Sequence, residues 1–107
     1  MANSRSSRDY YEYATVDTAP GADGYFTNAV SLRQKDIHHI FFSLRGTGTI
    51  DVTLQFKCPG DTLWSDYSDY DAACRKLIEG NAGGVQWRAG VKLGGRTSGS
   101  LTFGFDW

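Results

Sequence analysis

Three stretches of strict two-residue alternation constrain this chain more than any other feature. Apolar residues take every even position from Ile50 to Cys58 (Ile50, Val52, Leu54, Phe56, Cys58), with Asp51, Thr53, Gln55 and Lys57 between them. The period returns at Val85, Trp87, Ala89, Val91 and Leu93, and again at Leu101, Phe103, Phe105 and Trp107. Successive side chains of a strand point to opposite faces, so this pattern describes strands with one face buried and one in water. The expectation is an all-β chain, a single antiparallel β-sandwich or jelly roll of about seven to eight strands.

A chain of 107 residues supports one domain with one core. Its 13 Gly, 6 Tyr, 6 Phe and 3 Trp against 2 Pro and 1 Met suit short strands and tight turns rather than a helical bundle. Eleven basic and 12 acidic residues leave a net charge of -1, which gives no electrostatic footprint for nucleic acid. No apolar run has the roughly 20 residues of a membrane span, and the start carries no signal-type stretch, so synthesis in the cytoplasm is expected. Cys58 and Cys74 are then expected to stay reduced, with Cys58 on apolar parity as a small core filler; a disulfide between them requires neighbouring strands.

Along the chain, residues 1–8 are polar and without period, and read as a flexible arm preceding a sandwich domain over 9–107. Residues 10–16 read as a first strand with Tyr11, Tyr13 and Thr15 on one side. Turn chemistry fills 17–24. Short strands follow near 29–33 and 62–67, and a stronger one over 38–44 with Ile40, Phe42 and Leu44 inward. The Arg-Gly-Thr-Gly at 45–48 and the Gly-rich 94–98 each have hairpin size, so the strands flanking each are expected to pair. Residues 71–79 suit one helical turn or a strand over 74–78 equally.

Chemistry-bearing constellations are sparse. His38 and His39 are adjacent and fall on opposite faces of a strand, so they cannot share a metal. Asp66, Asp69 and Asp71 offer hard oxygen ligands for calcium, without the Gly turn and terminal Glu of an EF-hand. No GxSxG, HExxH or Cys-His spacing is present, so no catalytic residue, metal or cofactor is expected and the chain does not read as an enzyme. Two binding surfaces are legible. One is an N-terminal cluster of Arg5, Arg8, Tyr10, Tyr11 and Tyr13, with Phe41 on the outer parity of its strand, because clustered Arg and aromatic residues mark protein interfaces. The other is a sugar platform of Trp64, Tyr67 and Tyr70, presented together by a loop.

The stretch from Val85 through Trp87-Arg88-Ala89-Gly90-Val91-Lys92-Leu93, Gly94-Gly95, Thr97-Ser98-Gly99 and on to Phe103 resembles the C-terminal hairpin of small structural proteins of tailed bacteriophages. In these an aromatic-Arg-x-Gly-Val-Lys strand precedes a Gly-rich turn, Thr-Ser-Gly and a final alternating strand. Residues 48–55 are similar to a middle strand of the same proteins. The resemblance covers the last quarter of the chain closely and the central strands loosely. It implies a β-sandwich built into the virion, often as a decoration or cement protein bound to the major capsid protein, expected here as a homo-oligomer, sometimes as a tail or fibre part, with no catalytic residues. The N-terminal arm would then lie on a sister copy or on the shell and be disordered in the free monomer.

Overall fold

The computed structural model describes residues 4–8, 11–31, 39–79 and 84–107. Among them are ten strands and no helix: β1 (Ser4–Arg8), β2 (Tyr11–Val16), β3 (Tyr25–Phe26), β4 (Val30–Ser31), β5 (His39–Ile50), β6 (Val52–Lys57), β7 (Ser65–Tyr70), β8 (Cys74–Glu79), β9 (Gln86–Val91) and β10 (Arg96–Asp106). They form two antiparallel sheets. Sheet A has the order β1-β2-β10-β5-β8; sheet B has the order β3-β9-β6-β7, with β4 also on β9. The protein is thus an all-β sandwich, and its strand order is that of a jelly roll: β3 and β4 are two pieces of one interrupted strand, and β1 is added outside the eight-stranded plan.

The alternation places the core as its parity requires. Ala14, Val16, Ile40, Phe42, Leu44, Leu101, Phe103 and Phe105 from sheet A meet Val52, Leu54, Trp87, Ala89 and Val91 from sheet B, all buried. Where a strand stops, the pattern stops with it. β6 ends at Lys57, so Cys58 leaves the sheet and is exposed, donating its backbone N–H to Asp61 Oδ2 in a turn. It is not the core filler that its parity suggested. Leu93 lies beyond β9 and is likewise exposed. Cys74, half-buried beside the core, is also free, and no disulfide joins the two.

Neither expected hairpin forms. β5 runs on through residues 45–48 to Ile50, and the chain crosses to sheet B at the single residue Asp51, whose N–H donates to the Gly95 carbonyl at 2.8 Å. After β9 the chain crosses back and enters β10 in sheet A. The glycines serve strand apposition instead of turns. Gly48 faces Gly99 across the β5–β10 pair, and a Cβ on Gly48 (φ 147°) would stand 2.4 Å from the Ser98 carbonyl oxygen. The undecided segment 71–79 resolves as β8, whose pairing with β5 sets Ile78 opposite Ile40.

The arm also departs from expectation. Ser4–Arg8 pairs antiparallel with β2, Arg5 opposite Ala14 and Arg8 opposite Tyr11, as the edge strand of sheet A. Side-chain periodicity says nothing about this pairing, because an open strand edge offers its backbone N–H and C=O groups to any extended segment within reach. The described part of the arm therefore lies against its own domain.

Candidate interaction faces

Strand pairing sets the outer face of sheet A in rows. Tyr11, Asp106, Phe41 and Leu77 stand opposite one another across β2, β10, β5 and β8; Tyr13, Gly104, Ser43 and Arg75 make the next row, and Thr15, Thr102 and Arg45 the next. Three of the sequence-predicted interface residues, Tyr11, Tyr13 and Phe41, are thereby brought together. The Tyr11 and Tyr13 rings lie 5.4 Å apart. Arg5 and Arg8 stand at register positions on the neighbouring edge strand, and Tyr10 lies outside the described residues.

Arg75 organises the middle of this face. Its guanidinium donates to Ser43 Oγ at 2.7 Å and Asp106 Oδ2 at 2.9 Å, and sits 4.3 Å from the centre of the Phe41 ring. The hydrogen bond it donates to Asp106 raises the pKa of Arg75 above its ordinary value. Tyr13 is also held above the usual phenol value, first by burial and then by the Asp106 charge, with Arg45 and Arg75 opposing. Arg45 stands 5.5 Å over the Tyr13 ring and is exposed; among the described residues no carboxylate pairs with it. Leu77 keeps 47% of its surface in water. The result is a patch of half-exposed rings, one exposed aliphatic side chain and an exposed guanidinium, the residue types that anchor protein interfaces.

The outer face of sheet B is built differently. Thr53 and Gln55 point outward by parity yet are buried, because a layer of side chains lies over them. Phe26 packs on Gly90, where a Cβ would come within 2.3 Å of the ring. Arg88 Cζ lies 4.1 Å from the centre of the Phe26 ring and 4.5 Å from that of Trp64, while its Nε donates to Gln55 Oε1 at 2.8 Å. Gln55 Nε2 donates to Asp66 Oδ1 at 2.8 Å, Lys92 reaches Asp66 Oδ2 at 2.6 Å, and Thr53 Oγ1 donates to Asp69 Oδ1 at 2.7 Å. The hydrogen bonds from Lys92 and Gln55, in that order, hold the Asp66 carboxyl below the usual carboxylate range.

The two remaining sequence-predicted sites are dispersed by this arrangement. Trp64 is engaged on the outer face by Arg88 and by Lys57, whose Nζ lies 5.1 Å from its ring. Tyr70 stands opposite Val52 and packs on Phe42 at 5.2 Å, towards the core. Tyr67 falls at the bulge in the β6–β7 register and turns its ring to Trp87 at 5.2 Å and Phe56 at 6.2 Å. The three rings do not share a face. Asp66 and Asp69 are each spent on neighbours within the sheet, Asp71 follows the end of β7, and no group of three metal-ligating side chains occurs among the described residues.

Sequence reasoning missed Arg45, Arg75, Leu77 and Asp106, which reach the face only through the pairing of β5 with β8 and β10. It also missed Glu12, which is 2% exposed on the inner side of β2 and accepts from the backbone N–H and side-chain Nδ2 of Asn28 at 3.2 and 3.3 Å. A carboxylate at an inward position between two tyrosines was the available signal.

No protein-family model matches this chain, and no curated protein does. Among solved structures it is similar to two of the Drosophila melanogaster CENP-C cupin domain. One is 12% identical over 97% of this chain and 71% of that chain, with a TM-score of 0.40. The other is 13% identical over 94% of this chain and 73% of that chain, with a TM-score of 0.38.

Proposed function

We propose that this protein is a structural component of a tailed-phage virion, a decoration or cement protein that binds the assembled head shell through the outer face of sheet A. The observation that carries the reading is that face: the half-exposed Tyr11, Tyr13 and Phe41 in adjoining rows with the exposed Leu77 and Arg45, on a sheet over whose outer side no layer of described side chains lies, whereas Thr53 and Gln55 of sheet B are buried under one. The sequence resemblance over residues 85–103 supplies the virion context, with the major capsid protein as partner and a homo-oligomer as the bound form. A small, nearly neutral sandwich suits repeated binding to a lattice, where modest contacts add by avidity.

The test is binding of the purified protein to expanded, undecorated heads. Saturation at fixed lattice positions with a raised head melting temperature is the expected result. Copurification at only a few copies per particle assigns the chain to the tail and overturns the shell reading.

A further inference from the structure

Arg88 is a half-buried guanidinium that no carboxylate pairs with among the described residues. Phe26 of β3 lies on one flank of β9 and Trp64, from the β6–β7 connection, on the other, and Arg88 lies between the two rings. Its Nε is committed to Gln55, which orients the group. Its two Nη groups make no hydrogen bond with the described residues, and the residue keeps part of its surface in water. Arg75 has Asp106 and Lys92 has Asp66, whereas among the described residues no carboxylate pairs with Arg88 or with Lys57, which shares the Trp64 ring. Burial lowers the pKa of Arg88, the direction expected when water is removed and nothing negative replaces it.

We propose that the Nη edge of Arg88, held between Phe26 and Trp64 with Lys57 beside it, is a binding site for a carboxylate, borne by a small molecule or by an aspartate or glutamate of a partner protein. Two N–H donors in one plane match the two oxygens of a carboxylate, and rings above and below favour a planar group. The site lies on the sheet opposite the docking face, so it stands or falls independently of the virion reading.

The test is an NMR titration of the intact protein at constant ionic strength, following the Trp64 indole N–H and the Arg88 Nε–H. Glutarate is the small-molecule probe and a hexaglutamate peptide the macromolecular one, with chloride and inorganic phosphate as controls. Saturable shifts of both resonances with a carboxylate are expected, weaker with phosphate, which also engages the fork through two oxygens but is tetrahedral and fits between two rings less well, and absent with chloride, which cannot bridge both donors. Arg88→Lys, which retains charge without the fork, should lose most of the shift while the fold's dispersed spectrum persists. Peptide binding about tenfold tighter than glutarate identifies a partner protein as the source, and equal binding identifies a small acid. Absence of a saturable shift, equal shifts with chloride or phosphate, or retention of binding in Arg88→Lys overturns the proposal.

Discussion

Trp87 and Asp66 mark the two extremes of what a single side chain contributes here. Trp87 is 4% exposed and wedged against Phe56 and Tyr67, at ring distances of 5.8 and 5.2 Å. Its inward position and the Phe56 ring beside it were legible from shared parity; Phe105, inward from the other sheet, packs on Phe42 at 5.8 Å. Trp87→Ala removes a large buried ring and should lower stability by about 3–5 kcal/mol, a large share of the roughly 5–15 kcal/mol of a typical domain. The urea midpoint measures this, and a loss below about 1 kcal/mol would show that the ring is not packed as described. Asp66 is the opposite case. Its lowered pKa means that the Lys92 and Gln55 contacts favour the charged form, so their contribution is present at neutral pH and is lost as the pH falls and Asp66 takes up its proton. Both members of the ion pair are about half exposed, so Asp66→Asn should cost no more than about 0.5 kcal/mol at neutral pH. Urea unfolding at neutral pH and at about pH 3 checks the sign: the small gap between variant and wild type should close on acidification.

At the scale of the strand, alternation identified which residues face inward and gave no information on which strands pair. Ile50, Val52 and Leu54 keep one parity across the corner at Asp51, so the crossing from β5 to β6 leaves no mark in the hydrophobic pattern, and a Gly-containing stretch beside it resembles a hairpin turn. The same holds at 92–95, between β9 and β10. In both places the deciding information is non-local: β10 lies between β2 and β5, far from it in sequence. The edge strand is the clearest instance. Five polar residues of β1 carry no strand signature, yet they close the edge that β2 would otherwise expose. Deleting residues 1–8 should therefore have two effects: a fall in melting temperature of a few degrees, since net backbone pairing of about 1 kcal/mol corresponds to roughly 4–8 °C in a domain near this size, and faster hydrogen exchange at the β2 amides that face β1. Unchanged exchange in β2 after the deletion would show that the pairing is not maintained in solution.

For the molecule as a whole, the two sheets divide the work. Sheet B covers its outward side with the Phe26–Arg88–Trp64 stack and the Asp66 and Asp69 contacts, while sheet A leaves Arg45 and Leu77 exposed beside half-exposed rings. Arg45 and Leu77 are exposed and lie outside the buried core, which makes them suitable for separating the proposed docking face from the fold by mutation. Arg45→Glu reverses the charge at an exposed guanidinium, and Leu77→Lys removes apolar contact from a side chain with 47% of its surface in water. Surface changes of this kind shift stability by about 0.5 kcal/mol or less, so the double variant should melt within a few degrees of wild type. Its binding to expanded heads should fall steeply. Interface anchors of these types are each worth about 1–2 kcal/mol when lost, which is roughly 5–30-fold per anchor, and the loss multiplies across the subunits of an oligomer that engage the lattice together. If the proposed docking through sheet A holds, matched mutations on the other sheet, Lys92→Glu for instance, should leave head binding unchanged. If the sheet A variant binds heads as wild type does while the sheet B variant does not, the two faces must be exchanged in the account of how this protein sits on its partner.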